Sequence, residues 1–329
     1  MTARRPRVDW QREGPSWPHH ERSRFVTAAG QRWHVQAWPT PAAHAPTLLL
    51  LHGTGASTHS WRDLAPLLAQ QAGVIAIDLP GHGFSGPAAS GAHRDGATLP
   101  GMARGVRALL AALGATPQWL VGHSAGAAIA VRMALDDAAG LHGIVSLNGA
   151  LLPLHGLAGR FFSPMAKLLA LNPLVPRVFA WRAGDPVALQ RLIESTGSTL
   201  DASGAALYRR LVSDPSHVAG ALRMMARWDL QALQDALPRL AVPLHQVVGE
   251  RDRTVPPADA RRVQQLLAHA AAGTSATMAG LGHLAHEEQP REVARVLLRL
   301  VPLPAAGESP RPKSAVQASS VGATTERRS

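Results

Sequence analysis

Five short apolar runs recur along this chain: TLLLLHG (Thr47 to Gly53), VIAID (Val74 to Asp78), QWLVG (Gln118 to Gly122), GIVSLN (Gly143 to Asn148) and LHQVVG (Leu244 to Gly249). A strand with one face in water alternates apolar and polar side chains, whereas these runs are apolar nearly throughout, so both of their faces must be covered. Helical patterns separate most of them, and strands joined through helices lie parallel. The fold class is therefore α/β: a mostly parallel sheet flanked by helices. Upstream, SRFVTAAGQRWHVQAW reads as two strands joined at Ala29 and Gly30, and GTSATMAG supplies a weaker last strand before a helix from about Gln289 to Leu300. The first helix is expected to begin at Ser60, with Asp63 three residues on as an approximate capping box before Leu64, Leu67 and Leu68.

Between Asn148 and about Leu240 the alternation stops. Pro153, Pro164, Pro173, Pro176, Pro186 and Pro215 punctuate helical fragments there, the pattern of a helical insertion lying over the sheet. The expected organisation is an irregular N-terminal arm over 1–22, a core over 23–150 and 238–301, a helical cap over 151–237, and a disordered tail over 302–329, where Ser, Ala, Pro and charge dominate. The 46% hydrophobic content of the 329 residues is enough to fill such a core. A formal charge of +11 suggests nucleic acid until its origin is examined. Apart from Lys167 and Lys313 the cations are arginines, scattered from MTARRPR to TTERRS, and no basic stripe tracks a phosphate backbone. A nucleic-acid partner is not expected; the basic arm is able to touch an anionic membrane, although a solvated tail is the simpler reading. With no cysteine, disulfides, thiolate catalysis and iron–sulfur ligation are all excluded. Neither a secretory apolar region nor an apolar run of about 18 residues is visible, so the expected location is cytoplasmic.

LVGHSAGAAIA (Leu120 to Ala130) carries a G-x-S-x-G motif between a strand and a helix, where the catalytic groups of a parallel sheet gather. Serine is a poor nucleophile at its free pKa, so Ser124 requires a general base and an acid to orient that base, in the chain order serine, acid, histidine. VVGERDRTVPP provides Asp252 after a strand and AGLGHLAHEEQP provides His283 after the last one. Glu250 and His286 are the weaker alternatives, one too close to the strand end and the other in the following turn. Attack on a carbonyl creates an oxyanion that needs donors already in place. In LLHGTGAST, Gly53 and Gly55 let the chain approach a substrate, so the backbone N–H groups of Thr54 and Ala125 are the expected donors, with His52 as a brace for the loop. The bland alternative is a sheet protein with an incidental serine, aspartate and histidine.

GHGFSG (Gly81 to Gly86) begins a dinucleotide fingerprint, but Pro87 and a Gly/Ala/His loop follow where a helix N-terminus should receive a pyrophosphate. HLAHEE is neither H-E-x-x-H nor H-x-x-E-H. No cofactor and no metal are assigned. His19, His20, His93 and His142 have no partner spacing and read as surface or loop residues. Met224, Met225 and Trp228 read as packing within the insertion, with pocket lining as the sharper alternative.

Taken together, LLHGTGASTHSW, DLPGHGFSG, GHSAGAA, GERDRTVPP and GLGHLAHEEQP resemble the α/β-hydrolase superfamily. The resemblance implies an eight-stranded, mostly parallel sheet with a cap inserted after the sixth strand. In some relatives the acid follows that strand; here LNGA offers no carboxylate, which supports Asp252. Relatives with an aspartate nucleophile, the haloalkane dehalogenases and epoxide hydrolases, are disfavoured by Ser124, and the two cap tyrosines of the latter have no counterpart in a chain whose only tyrosine is Tyr208. RWHVQAW, LNGALLP, LLALNPLVPRVFAWRAGD, the long phrase from Thr196 to Leu230 and GHLAHEEQP also look like the magnesium-chelatase accessory family of bacteriochlorophyll biosynthesis, from about Trp10 to Val301. That likeness implies a role near insertion of Mg²⁺ into protoporphyrin, a small apolar or tetrapyrrole-like ligand, and magnesium-chelatase subunits as partners. No G-x-x-x-x-G-K-[ST] loop is present, so the chain cannot itself drive ATP-dependent chelation. Three functions stay open: a serine hydrolase cleaving an ester or acyl bond, a non-catalytic tetrapyrrole-binding or chelatase-assisting protein whose Arg160, Arg177 or Arg182 meets propionates, and a general carboxylesterase.

Overall fold

Ala29 and Gly30 both take positive φ, 51° and 71°, which folds β1 (Ser23–Ala28) back on β2 (Gln31–Trp38) through the two-residue left-handed turn that suits a twisted hairpin. A computed structural model of the chain describes residues 8–87, 96–153, 172, 174–268 and 271–301. The remaining strands are β3 (Thr47–Leu51), β4 (Gly73–Ile77), β5 (Trp119–His123), β6 (Gly143–Leu147), β7 (Leu244–Gly249) and β8 (Ala272–Met278). They form one eight-stranded sheet in the order β1-β2-β4-β3-β5-β6-β7-β8. β2 runs antiparallel to both neighbours and every other pair is parallel.

Among the described residues the helices of more than four residues are α1 (Leu99–Leu113) after β4, α2 (Ala125–Asp136) after β5, α3 (Val175–Ala183), α4 (Pro186–Ser195), α5 (Ala202–Val212), α6 (Pro215–Arg227) and α7 (Leu230–Ala236) between β6 and β7, α8 (Ala258–Leu266) after β7, and α9 (Pro290–Leu300) after β8. Strand parity divides the core. Leu49 and Leu51 of β3 face Met102, Val106 and the alanines of α2, whereas Leu48 and Leu50 face Leu64, Leu68, Val293 and Leu297 on the opposite side. All four leucines are fully buried, which is why β3 is apolar at every position after Thr47.

The helical insertion is partitioned by aspartates. Asp185, Asp201, Asp214 and Asp229 each accept hydrogen bonds from first-turn amides and so start α4, α5, α6 and α7. Residues 8–22 form short helical turns anchored by Trp17, which is buried against Phe84, Leu207 and Leu211. One expectation is corrected. The segment after the Gly53–Gly55 loop does not open a helix at Ser60; Thr58–Trp61 is a 3₁₀ turn whose cap is Ser57, and the helix proper is only Ala65–Leu68. Ser60 spends its hydroxyl on the Ser57 carbonyl at 3.1 Å, and Asp63 pairs with Arg62 at 3.1 Å instead of capping. His93, Arg160, Lys167 and the 302–329 tail lie outside the described residues.

Candidate active site

Ser124 joins β5 to α2 with φ 51° and ψ −117°, a backbone conformation that a non-glycine residue adopts only under constraint. The constraint is visible. The Ser124 N–H donates to the Leu147 carbonyl at 3.0 Å, and its own carbonyl accepts from Ala127 at 3.1 Å and Ala150 at 3.0 Å. The two flanking glycines allow close crossing: a Cβ on Gly122 would lie 2.3 Å from the Ala127 nitrogen, and one on Gly126 would lie 2.0 Å from the Leu51 oxygen. Thus G-x-S-x-G holds the serine up because the strand and helix around it meet backbone to backbone.

Asp252, in the loop after β7, and His283, in the loop after β8, are both buried, and Nδ1 of the imidazole lies 2.8 Å from Oδ2 of the carboxylate. Oδ1 of Asp252 accepts the Thr254 and Val255 amides at 2.7 and 2.9 Å, which fixes the carboxylate plane. Because a carboxylate only accepts, the neutral imidazole of His283 takes the tautomer with its proton on Nδ1 and its lone pair on Nε2. Both ends of the His283 loop are held. Its carbonyl accepts from Nδ2 of Asn148 at 2.8 Å and from Nε2 of His123 at 2.9 Å, and its N–H reaches the Thr196 carbonyl. The ring of His123, the residue before Ser124, lies 4.8 Å from that of His283, so the elbow and the histidine loop are adjacent. The Ser124 hydroxyl makes no hydrogen bond to His283 or to any other described residue. His286 sits instead against Trp61 and His123, with burial lowering its pKa to about 3. Glu250 accepts the Gly280 amide at 2.8 Å and makes no hydrogen bond to His283 among the described residues.

The Gly53–Gly55 loop packs directly on the elbow: a Cβ on Gly53 would lie 3.1 Å from that of Ser124. His52 braces this loop. Its Nδ1–H donates to the Gly53 carbonyl at 2.7 Å while Nε2 accepts from Leu79 at 2.9 Å, and burial lowers its pKa to about 4, keeping it neutral in that tautomer. The backbone N–H groups of Thr54 and Ala125 have no acceptor among the described residues. α6 closes over the loop: Nε2 of His217 donates to the Gly55 carbonyl at 3.0 Å, and the Thr54 hydroxyl donates to the sulfur of Met224 at 3.6 Å. Met224 is thereby both core and neighbour of the site, whereas Trp228 is core packing.

Two polar groups missed by sequence reasoning hold the site together. Asn148, at φ 46°, donates to the Gly282 and His283 carbonyls and accepts the Gly249 amide at 2.7 Å, tying β6, β7 and the histidine loop at one point. The signal available was an asparagine directly after a buried strand and before a glycine, a type that tolerates left-handed backbone. The second is Arg62, which bridges Glu287 at 3.1 Å and Asp201 at 2.9 Å, while the Tyr208 hydroxyl of α5 donates to Glu287 at 2.8 Å. Burial pushes Glu287 up to about 8, with Tyr208 and Arg62 pulling the other way. This cluster locks the helical insertion to the segment four residues beyond His283. The GHGFSG loop wraps Asp78, whose carboxylate accepts the Thr58 and Phe84 amides and pairs with His34 at 2.8 Å. Burial alone would raise that carboxyl; His34 holds it well below the ordinary range. The Gly83 amide goes to His217 at 3.1 Å, so these N–H groups are committed inside the protein. Arg177 and Arg182 are exposed on α3.

The sheet order, the elbow and the loops gathered above it define an α/β hydrolase, and the sequence matches the alpha/beta hydrolase family over residues 48–296: the chain belongs to that family. It is 39% identical over 275 residues to the magnesium-chelatase 30 kDa subunit of Rhodobacter capsulatus, covering 83% of this chain and 92% of that protein. It is also 29% identical over 276 residues to the 2-succinyl-6-hydroxy-2,4-cyclohexadiene-1-carboxylate synthase of Salmonella heidelberg (strain SL476), covering 82% of this chain and 99% of that one. Among solved structures, an epoxide hydrolase without ligand superposes with a TM-score of 0.68 at 22% identity, covering 84% of this chain and 97% of that one, a likeness of fold alone.

Proposed function

We propose that the chain is a serine hydrolase that cleaves an ester or related acyl bond. Ser124 is the nucleophile, His283 the general base, Asp252 the acid that orients it, and the N–H groups of Thr54 and Ala125 the oxyanion donors. The observation that carries this reading is the buried 2.8 Å Asp252–His283 pair, set in a loop that contacts the strained Ser124 elbow through His123. Nε2 of His283 takes the Ser124 proton as Oγ adds to the carbonyl carbon. The new oxyanion is met by the two backbone donors. Collapse expels the alcohol with that proton and leaves an acyl-serine; water, deprotonated by His283, then releases the acid. A Ser124–His283 hydrogen bond that forms only with substrate in place accords with the looser contacts of unliganded hydrolase sites.

The likeness to a magnesium-chelatase subunit over 83% of this chain and 92% of that protein supports a place in bacteriochlorophyll biosynthesis near the magnesium-chelatase step, with a small apolar or tetrapyrrole-like substrate and chelatase subunits as partners. The same observation favours a second reading, a chelatase-assisting or tetrapyrrole-binding protein that keeps the fold without using hydrolysis. A fluorophosphonate probe should label the wild type and not Ser124→Ala, and hydrolysis of test esters should fall by about 10³-fold or more. In a strain lacking this gene, Ser124→Ala should fail to restore pigment. Restoration by that variant would make the second reading the correct one, and absence of probe labelling would remove the nucleophile assignment.

A further inference from the structure

Among the described residues, all six exposed large hydrophobic side chains lie between 174 and 192, on α3, α4 and their approaches: Leu174, Val178, Phe179, Trp181, Val187 and Leu192. Trp181 is 78% exposed, and Leu174 and Val178 are each 59% exposed. A tryptophan so far out of a folded surface is uncommon, and a cluster of this kind marks a contact surface.

The arrangement on α3 is ordered. At about 100° per residue, Leu174, Val178 and Trp181 fall within about 60° of one another, with Arg177 about 40° beyond one edge and Arg182 about 40° beyond the other. Both arginines are exposed. The opposite side of the helix, Pro176 and Ala180, is buried against the rest of the insertion. α3 therefore presents an outward apolar stripe between two cations, the pattern of a helix lying flat in a membrane interface: apolar side chains enter the acyl boundary while arginine heads reach the phosphates beside them.

Charge selects this occupant over a second copy of the chain. α3 carries no acidic residue, so pairing two copies through it would set arginines against arginines. Asp185, just beyond its end, is committed to the Val187 amide at the start of α4. The acid of α4, Glu194, pairs locally with Gln190 at 2.8 Å. An anionic headgroup layer provides the counter-charge that α3 itself does not carry, and the formal charge of +11 supplies attraction at longer range.

We infer that α3 docks this protein on an anionic lipid surface, with Trp181, Val178 and Leu174 inserted and Arg177 and Arg182 at the phosphates. α3 packs on α6, and α6 covers the Gly53–Gly55 loop through His217 and Met224, so the docked face lies one helix away from Ser124. An apolar substrate dissolved in the bilayer would then meet the cap first. The inference stands apart from the hydrolase reading, because docking does not use Ser124.

The test is flotation of the full chain with vesicles of phosphatidylcholine, alone and with about 30% phosphatidylglycerol. Wild type should float with the anionic vesicles, less with the neutral ones, and less again as salt rises. The double variant Val178→Ser/Trp181→Ser should lower the bound fraction by about tenfold. Exposure of both side chains means that no core is disturbed, and an unchanged melting temperature verifies this. Arg177→Glu/Arg182→Glu should abolish the preference for anionic lipid, and Ser124→Ala should float as wild type does. The inference is overturned if wild type does not float, or if the Val178/Trp181 variant floats equally well, since arginines elsewhere would then carry the binding. It is also overturned if vesicles are ignored and sedimentation reveals a dimer that Trp181→Ser dissociates.

Discussion

Asp252 divides its two oxygens between different tasks, and that division predicts what happens when one is altered. Oδ1 serves the Thr254 and Val255 amides and Oδ2 serves His283. In Asp252→Asn the amide oxygen must stay with the two N–H donors, so the NH₂ group faces the imidazole. Nδ1 then has to accept, the proton moves to Nε2, and the base is lost with almost no change of shape. Hydrolysis should fall by about 10³–10⁴-fold while the melting temperature changes little; a variant retaining a tenth of the activity would contradict the assigned tautomer. At this scale Ser124, Asp252 and His283 were legible because each sits in a loop just past a strand whose apolar run announces it. Asn148 was not legible as a tie. Its partners, Gly249, Gly282 and His283, are more than 100 residues away in sequence and become neighbours only when β6, β7 and the last loop converge.

α6 is held to the core by backbone contact as much as by side chains. Gly220 meets Gly81 so closely that a Cβ on Gly220 would lie 2.2 Å from the Gly81 oxygen, and Gly81 itself has φ 79° and cannot readily move aside. Gly220→Ala must lift the helix from the GHGFSG loop, drawing His217 from Gly55 and Met224 from Thr54. Stability should fall by about 1–3 kcal/mol, seen as a lower melting temperature and faster proteolysis within the insertion; an unchanged melting temperature would show that the contact is dispensable. The central strands β3 to β7 could be read from sequence because burial on both faces leaves a nearly unbroken apolar run. The start after the Gly53–Gly55 loop could not, because Ser57, Ser60 and Asp63 each had two bonding options, and the choice was made by Asp78 taking the Thr58 amide and Glu287 engaging Arg62.

Across the whole molecule, five buried histidines set the response to pH. Burial lowers His52 to about 4 and His286 to about 3, and holds His59, His82 and His123 well below 6.5. Unfolded, each titrates near 6.5, so the stability that they contribute is present above that pH and is lost as pH falls, up to about 1.4 kcal/mol per unit and group. Glu287 runs the other way: raised from 4.5 to about 8, it contributes fully below 4.5 and loses that contribution as pH rises through 8. Between 4.5 and 6.5 five groups outweigh one; between 6.5 and 8 Glu287 acts alone. The melting temperature should climb steeply from pH 4.5 to 6.5 and then decline gently to 8, and a flat profile from 5 to 6.5 would mean that these imidazoles are not held neutral. What the sequence alone determined is the sheet, the order of its loops and the residue types they carry, since burial on two faces and turn chemistry are local properties written in apolar runs, glycines and prolines. What only tertiary structure decided is which histidines are neutral packing and which, like His34 and His283, face a carboxylate, which amides are committed, and which apolar side chains of the insertion were left facing outward. Those depend on the neighbours that distant segments bring, and no periodicity records a neighbour.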